Sequence, residues 1–171
     1  MSVIFTIGYE GTDIDRFVRA LKEDGVRQVA DLRAVAVSRK AGFSKKRLDA
    51  RLAAEGIRYR HFVSLGDPKL GREAARAGDF EAFRAIYGAH LSSASAQDGL
   101  LALVAAVRDT PTCLLCFERA PRTCHRAIVA QEVSRETGFR IQNLFAGVLE
   151  RHERNIAGVQ RHHPGESATA A

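Results

Sequence analysis

The chain has 171 residues, 46% of them apolar and 27% charged, with a formal net charge of +6. That length suits one domain able to bury a core without disulfides or metal, and no apolar run reaches the about 18–20 residues of a membrane helix. Three cysteines clustered in one stretch are no disulfide framework, and the start, Met1 to Thr6, lacks the pattern of a signal peptide; both point to a cytoplasmic protein with no membrane partner.

In chain order, Val3 to Ile7 reads as a buried strand ended by Gly8. Thr12 or Asp13 caps a helix whose Ile14, Phe17, Val18 and Leu21 form one stripe, stopped at Gly25. Val26 to Leu32 is a second strand. Ser44 caps a second helix, with Leu48 and Leu52 inward and Gly56 at its end. Ile57 to Val63 is a third strand, where Ile57, Tyr59, His61 and Val63 alternate against Arg58, Arg60 and Phe62. Asp79 caps a helix carrying Phe80, Phe83, Ile86 and Tyr87. A second helical run, Leu100 to Val107, follows the loose Ser92 to Ser95. Thr112 to Phe117 is a fourth strand. Thr123 caps a helix that runs to Thr137 and ends at Gly138, and Phe139 to Phe145 is a fifth, edge strand. The domain is expected to span 1–146, with 147–171 a partly disordered tail.

Strands alternating with helices predict an α/β fold: a single three-layer domain with a mostly parallel sheet of about five strands and helices on both faces. Right-handed crossovers then gather the carboxyl ends of the strands on one edge, where such sheets bind ligands. The unusual polar residues fall there: Gly8-Tyr9-Glu10-Gly11, Asp31-Leu32-Arg33, Ser64 to Asp67, and Cys116 with Glu118.

The densest chemistry lies between Leu114 and Arg126. Cys116 and Glu118, two apart on a strand, share a face. Cys124 falls in the first turn of the next helix, where free amides and the macrodipole favour a thiolate. His125 and Arg126 add positive potential, so Cys124 is the expected reactive thiol, with a lowered pKa. Cys116 alone, a lone cysteine in an apolar strand, reads first as a small buried hydrophobe. Glu118 needs a partner if buried; it is either a general acid or base, or the salt-bridge partner of Arg33 or Arg126. Asp31 and Arg33 also share a face. Arg33 suits a carboxylate or phosphate, with Asp31 orienting it or acting as a base, and a structural ion pair is the plainer reading. The Gly8 to Gly11 turn allows close approach of backbone to a ligand.

Several familiar readings fail. Cys113 and Cys116 point to opposite faces of a strand, and Leu114-Leu115 makes no metal knuckle. A mononuclear site of Cys116, Cys124 and His125 is conceivable, but the expectation is no metal. Cys116 to Arg122 has the Cys-x5-Arg spacing of cysteine phosphatases without their loop glycines, and Pro121 removes a donor. There is no G-x-G-x-x-G, P-loop or G-x-S-x-G element. Between Arg27 and Arg60, ten basic residues face only Asp31, Asp49 and Glu55. Such an excess suits phosphates or another polyanion, or is a solvated helix face.

Thr6-Ile7-Gly8-Tyr9, Asp31-Leu32-Arg33, Ser38-Arg39-Lys40 with Phe43-Ser44-Lys45, Leu65-Gly66, and Cys116-x-Glu118-x5-Cys124-His125-Arg126 together resemble the family called domain of unknown function 488. The match in order and spacing runs from about Ser2 to Phe145. The resemblance implies an α/β fold and supplies neither substrate nor cofactor. Ala36 and Ala41 stand where that family often has proline, and Ala120 where an acid is common. The leading expectation is an enzyme whose catalytic residues are Cys124, Glu118, His125 and Asp31. Arg33, Arg126, Gly8, Tyr9, Glu10, Arg39 and Lys40 would hold an anionic substrate, a nucleotide or nucleic acid among the candidates. The alternatives are a nucleic-acid-binding module without catalysis and a protein with a switchable Cys116–Cys124 disulfide.

Overall fold

The computed structural model describes residues 2–147. Five strands, β1 (Val3–Gly8), β2 (Gln28–Asp31), β3 (Arg58–His61), β4 (Thr112–Cys116) and β5 (Arg140–Leu144), form one sheet in the order β3-β2-β4-β1-β5. Every pairing is parallel. β2, β4 and most of β1 are buried on both faces, and their apolar runs serve two cores. Helices α1 (Ile14–Glu23) and α2 (Lys45–Ala53) cover one face. There Phe17, Val18, Leu21, Leu48 and Leu52 pack on Phe5, Ile7, Val29, Cys113 and Leu115. The other face carries α4 (Phe80–Leu91), α5 (Ala94–Asp109) and α6 (His125–Thr137), packed on Ile4, Ala30 and Leu114. The short α3 (Lys69–Arg76) lies against α4. The expected three-layer α/β domain with helices on both faces is what forms.

Local chemistry sets most boundaries. Asp13 accepts a hydrogen bond from the Arg16 amide at 2.8 Å and starts α1, as side-chain caps do. Gly138 takes a left-handed conformation, φ 72°, and ends α6. Four expectations need correction. The third strand stops at His61, because the chain turns at Phe62 into a short 3-10 turn over Val63–Leu65, so Val63 faces solvent. The Ser92 to Ser95 stretch is a helix start: Ser93 Oγ accepts from the Ala96 amide and α5 begins at Ala94. α3 is an addition; with only Gly71 buried it shows no apolar stripe. The cap of α6 is Cys124, since Pro121–Thr123 forms a separate 3-10 turn. The tail expected at 147–171 lies, after Gly147, outside the described residues. Among those described, no helix is long and apolar enough to cross a membrane.

Parallel pairing delivers the carboxyl ends to one edge. Gly8 is in register with Cys116, and Asp31 with Leu115. The loops leaving β1 and β4 are joined by Tyr9 N–H to Cys116 O and Glu10 N–H to Phe117 O. A Cβ at Gly8 would overlap the carbonyl of Glu118, so glycine is what lets the β4 loop fold down over β1. Gly8→Ala should therefore destabilise the domain by roughly 1–3 kcal/mol, measured by urea denaturation. A loss under about 0.5 kcal/mol would mean that the loop does not sit there.

Candidate functional site

Two polar assemblies occupy the carboxyl edge. The first belongs to β2. The Asp31 carboxylate, with no exposed surface, accepts from the Arg33 amide (3.0 Å), from Arg33 Nε (2.9 Å) and Nη2 (2.6 Å), and from the Tyr59 hydroxyl (2.6 Å). Arg33 Nη1 donates onward to the Phe43 carbonyl and the Tyr9 hydroxyl. The Tyr9 ring stacks on Phe43 at 4.4 Å. Burial works against the Arg33 charge, but Asp31 and Tyr9 outweigh it and hold the guanidinium firmly protonated. Burial and the Asp31 charge push the Tyr59 hydroxyl up. This assembly ties β1, β2, β3 and the loop before α2 together, and its donors and acceptors are largely used up doing so. Asp31 and Arg33 form the ion pair that was the plainer sequence reading.

The second assembly lies over the end of β4. Cys116, the last residue of that strand, donates its S–H to Glu118 Oε2 at 2.9 Å. Cys124 caps α6, and His125 is its first residue. His125 Nε2–H donates to the Leu32 carbonyl at 2.9 Å, which turns Nδ1 toward both sulfurs, 3.7 Å from Cys116 and 3.9 Å from Cys124. Cys116, Cys124 and His125 are all buried, and their three donor atoms lie within 4.8 Å of one another. Cys113 is excluded: it points into the opposite core, as the odd spacing from Cys116 requires. The Tyr87 ring lies 5.2 Å from that of His125, with its hydroxyl donating to the Leu65 carbonyl.

Arg126 builds the loop between these groups. It is the largest of the fully buried side chains. Its Nη1 donates to the Glu118 carbonyl, Nη2 to the Arg119 carbonyl at 2.9 Å, and Nε to the Thr6 hydroxyl at 3.3 Å. Glu10 adds an external tie, accepting from the Arg119 amide at 2.9 Å. Arg126 thus serves the backbone, and neither it nor Arg33 is the salt-bridge partner of Glu118. Gly8 likewise meets the Glu118 carbonyl, where the sequence suggested a ligand.

Burial overturns the expected lowering at Cys124. The start of α6 favours a thiolate, yet removal from water dominates and pushes the thiol well up, reinforced by the neighbouring Cys116 sulfur and only partly opposed by His125. Burial works against a charged His125 ring, but the Cys124 sulfur and the Leu32 carbonyl lift it to about 9. Burial would raise Glu118, but hydrogen bonds from Cys116, its own amide and Cys124 hold the carboxyl below its ordinary value. Burial raises Asp67. Its Oδ1 is the one buried side-chain N or O atom among the described residues without a hydrogen-bond partner, and it packs against Gly71.

The edge therefore unites Gly8, Tyr9, Glu10, Asp31, Arg33, Asp67, Cys116, Glu118, Cys124, His125 and Arg126, as the sequence placed them, and adds Tyr87. Arg39 and Lys40 lie on the loop from β2 to α2, which is braced by Ser44 Oγ against the Ser38 backbone, and no side-chain hydrogen bond or salt bridge ties either to the cluster among the described residues. Tyr87 had a legible signal, a hydroxyl on the inward stripe of its helix. The groove at the opposite edge, lined by Ser2, Asp24, Arg108, Asp109 and Pro111 among others, contains no thiol or imidazole.

A three-layer parallel α/β domain with a buried thiol–imidazole cluster beside a half-buried carboxylate at its carboxyl edge is the class that fold and site define. The chain matches the family model described as domain of unknown function DUF488 over residues 13–133, more than half its length, and belongs to that family. No curated protein and no solved structure matches it.

Breaking a buried ion pair from one side strands the other charge and costs about 3–5 kcal/mol. Asp31→Asn should lose that much stability in urea, and Tyr59→Phe, which removes one hydrogen bond to a charged group, about 1.5–3 kcal/mol. A loss below about 1 kcal/mol for Asp31→Asn would free the pair for a role other than scaffolding.

Proposed function

We propose that this protein is an enzyme acting on an anionic substrate, with its reaction centre at Cys116, Glu118, Cys124 and His125. The observation that carries this reading is the burial of two thiols and an imidazole in one cluster at the carboxyl edge, with a half-buried carboxylate beside them. Apolar residues would fill that space at lower free energy, and the neighbouring frame already has its own ion pair in Asp31 and Arg33. Polar groups that do not serve stability are the signature of a site kept for chemistry.

The roles follow from geometry. Glu118 is half-buried beside Cys116 and is the acid–base group, because no salt bridge engages its carboxylate among the described residues. His125, fixed at Nε2 by Leu32, presents Nδ1 to the thiols. Asp31, Arg33, Arg126, Tyr9 and Gly8 position these groups from behind. Substrate charge falls to cations not engaged in the frame. Arg39 and Lys40 lie on the braced loop beyond β2, and no salt bridge engages either among the described residues. A nucleotide or nucleic acid fits this description. The second reading, binding without catalysis, draws on exposed Lys45, Lys46 and Arg47 in the first turn of α2.

Inorganic phosphate and nucleoside monophosphates, titrated into the full chain and followed by thermal shift, test the substrate class. Stabilisation by a phosphate-bearing ligand is expected, with at least a tenfold weaker response in the Arg39→Ala/Lys40→Ala double variant. No response to any such anion contradicts the reading. If instead a short oligonucleotide binds with steep salt dependence that Lys45→Ala/Lys46→Ala/Arg47→Ala flattens, and Glu118→Gln binds equally, the second reading holds.

Glu118→Gln separates chemistry from scaffolding. It breaks no salt bridge among the described residues, so it should leave the melting temperature level or raised. The glutamine oxygen can still accept from Cys116. A clear fall in melting temperature would make Glu118 a structural residue.

A further inference from the structure

The two sulfurs and the imidazole nitrogen have the arrangement of a coordination shell. Around a tetrahedral zinc ion, metal–sulfur bonds of about 2.3 Å and metal–nitrogen bonds of about 2.0–2.1 Å leave neighbouring donor atoms roughly 3.5–3.8 Å apart. His125 Nδ1 lies 3.7 Å from Cys116 Sγ and 3.9 Å from Cys124 Sγ. All three atoms fall within 4.8 Å of one another. Such gaps are loose for thiol hydrogen bonds and close to the edges of that tetrahedron. We infer that Cys116, Cys124 and His125 Nδ1 bind one divalent ion of the zinc class, leaving a fourth coordination position on the side of Glu118.

Three further observations support the inference. The donor set is two thiols and one imidazole, which suits zinc and its softer neighbours and not magnesium or calcium. Metal-ligating histidines donate their other ring N–H to a carboxylate, carbonyl or water. His125 already does this to the Leu32 carbonyl at 2.9 Å, which leaves Nδ1 as the ligating nitrogen. The three ligands are held by rigid elements, the end of β4 and the first turn of α6, and Arg126 pins the loop between them. On binding, each coordinating thiol gives up its proton to solvent and becomes a thiolate, and His125 likewise releases to solvent the proton its Nδ1 carries when the ring is charged. Three protein ligands and an open position are the count of catalytic zinc sites, whereas structural sites close the shell with four. Glu118, 2.9 Å from Cys116 Sγ, stands where a carboxylate would hold a water in that position.

The inference deepens the proposed enzymatic reading and rests on it for its purpose, but its test reads metal alone. The reduced full-length chain is loaded with zinc, passed through a desalting column and analysed for bound metal. A parallel sample takes cobalt(II) and is examined by absorption spectroscopy. One ion per chain is expected, with the visible bands of tetrahedral cobalt and an ultraviolet thiolate-to-cobalt band. Cys113→Ala, which alters only the opposite core, should keep both. Cys116→Ser and Cys124→Ser should weaken metal binding at least tenfold, with unchanged circular dichroism showing that they fold. Glu118→Gln should retain one ion per chain, and loss of the ion there would overturn the open position. Wild-type chain that keeps less than about a tenth of an ion per chain, or serine variants that keep the cobalt bands, would overturn the site itself. So would recovery of Cys116 and Cys124 as a disulfide that reduction does not convert to a metal-binding form. Metal binding without any response to anions would uphold the site while removing the enzymatic reading. An anion response without metal would do the reverse.

Discussion

The whole carboxyl edge depends on one buried guanidinium. Arg126 lies on α6, out of contact with water, and spends its donors on the backbone carbonyls of Glu118 and Arg119 and on the Thr6 hydroxyl. A positive charge placed so deep demands strong acceptors, and the loop from Cys116 to Cys124 supplies them. That loop is thereby bent into one shape. Its two ends become the two sulfurs of the cluster, its third residue the adjacent carboxylate. Gly8 completes the constraint from below, since any side chain there would collide with the Glu118 carbonyl that Arg126 holds. An arginine and a glycine far apart in sequence thus fix one segment.

The polar groups of the edge divide their labour. Asp31, Arg33, Tyr9 and Tyr59 satisfy one another almost completely. A network of this kind rigidifies what surrounds it and leaves little capacity for a ligand. Cys116, Cys124 and His125 are the opposite case: the imidazole Nδ1 lies a loose 3.7 and 3.9 Å from the two sulfurs, and Asp67 nearby has an unpartnered oxygen. Rigid support beneath underused polar groups is the arrangement that precise chemistry needs.

Much of this was legible in the sequence. Periodicity and caps located all five strands and five of the six helices at least in part, and the parallel sheet followed from their alternation. From there, Gly8, Asp31 and Cys116 had to share an edge. What pattern could not convey was depth. The macrodipole argument for Cys124 is sound for an exposed helix start, and fails here because the start of α6 is sealed, so desolvation dominates. Arg126 and Arg33 looked like ligand-binding cations because sequence does not reveal that backbone carbonyls and Asp31 already occupy them. The helix α3 escaped because Gly71, its one buried residue, leaves no stripe to detect. The pairing of His125 with the Leu32 carbonyl involves no side chain of the partner, and so leaves no mark on residue type.

Reactivity of the three thiols under native conditions measures the clamp most directly. The full chain is exposed to a thiol-labelling reagent, and peptide mapping follows Cys113, Cys116 and Cys124 separately. Replacing Arg126 with lysine removes hydrogen bonds to a charged group, each worth about 1.5–3 kcal/mol, so opening of the loop should become at least about tenfold more frequent. The account predicts that Arg126→Lys accelerates labelling of Cys116 and Cys124 by that factor while Cys113, in the opposite core, stays protected. Unchanged rates at Cys116 and Cys124, or equal acceleration at all three thiols, would contradict it.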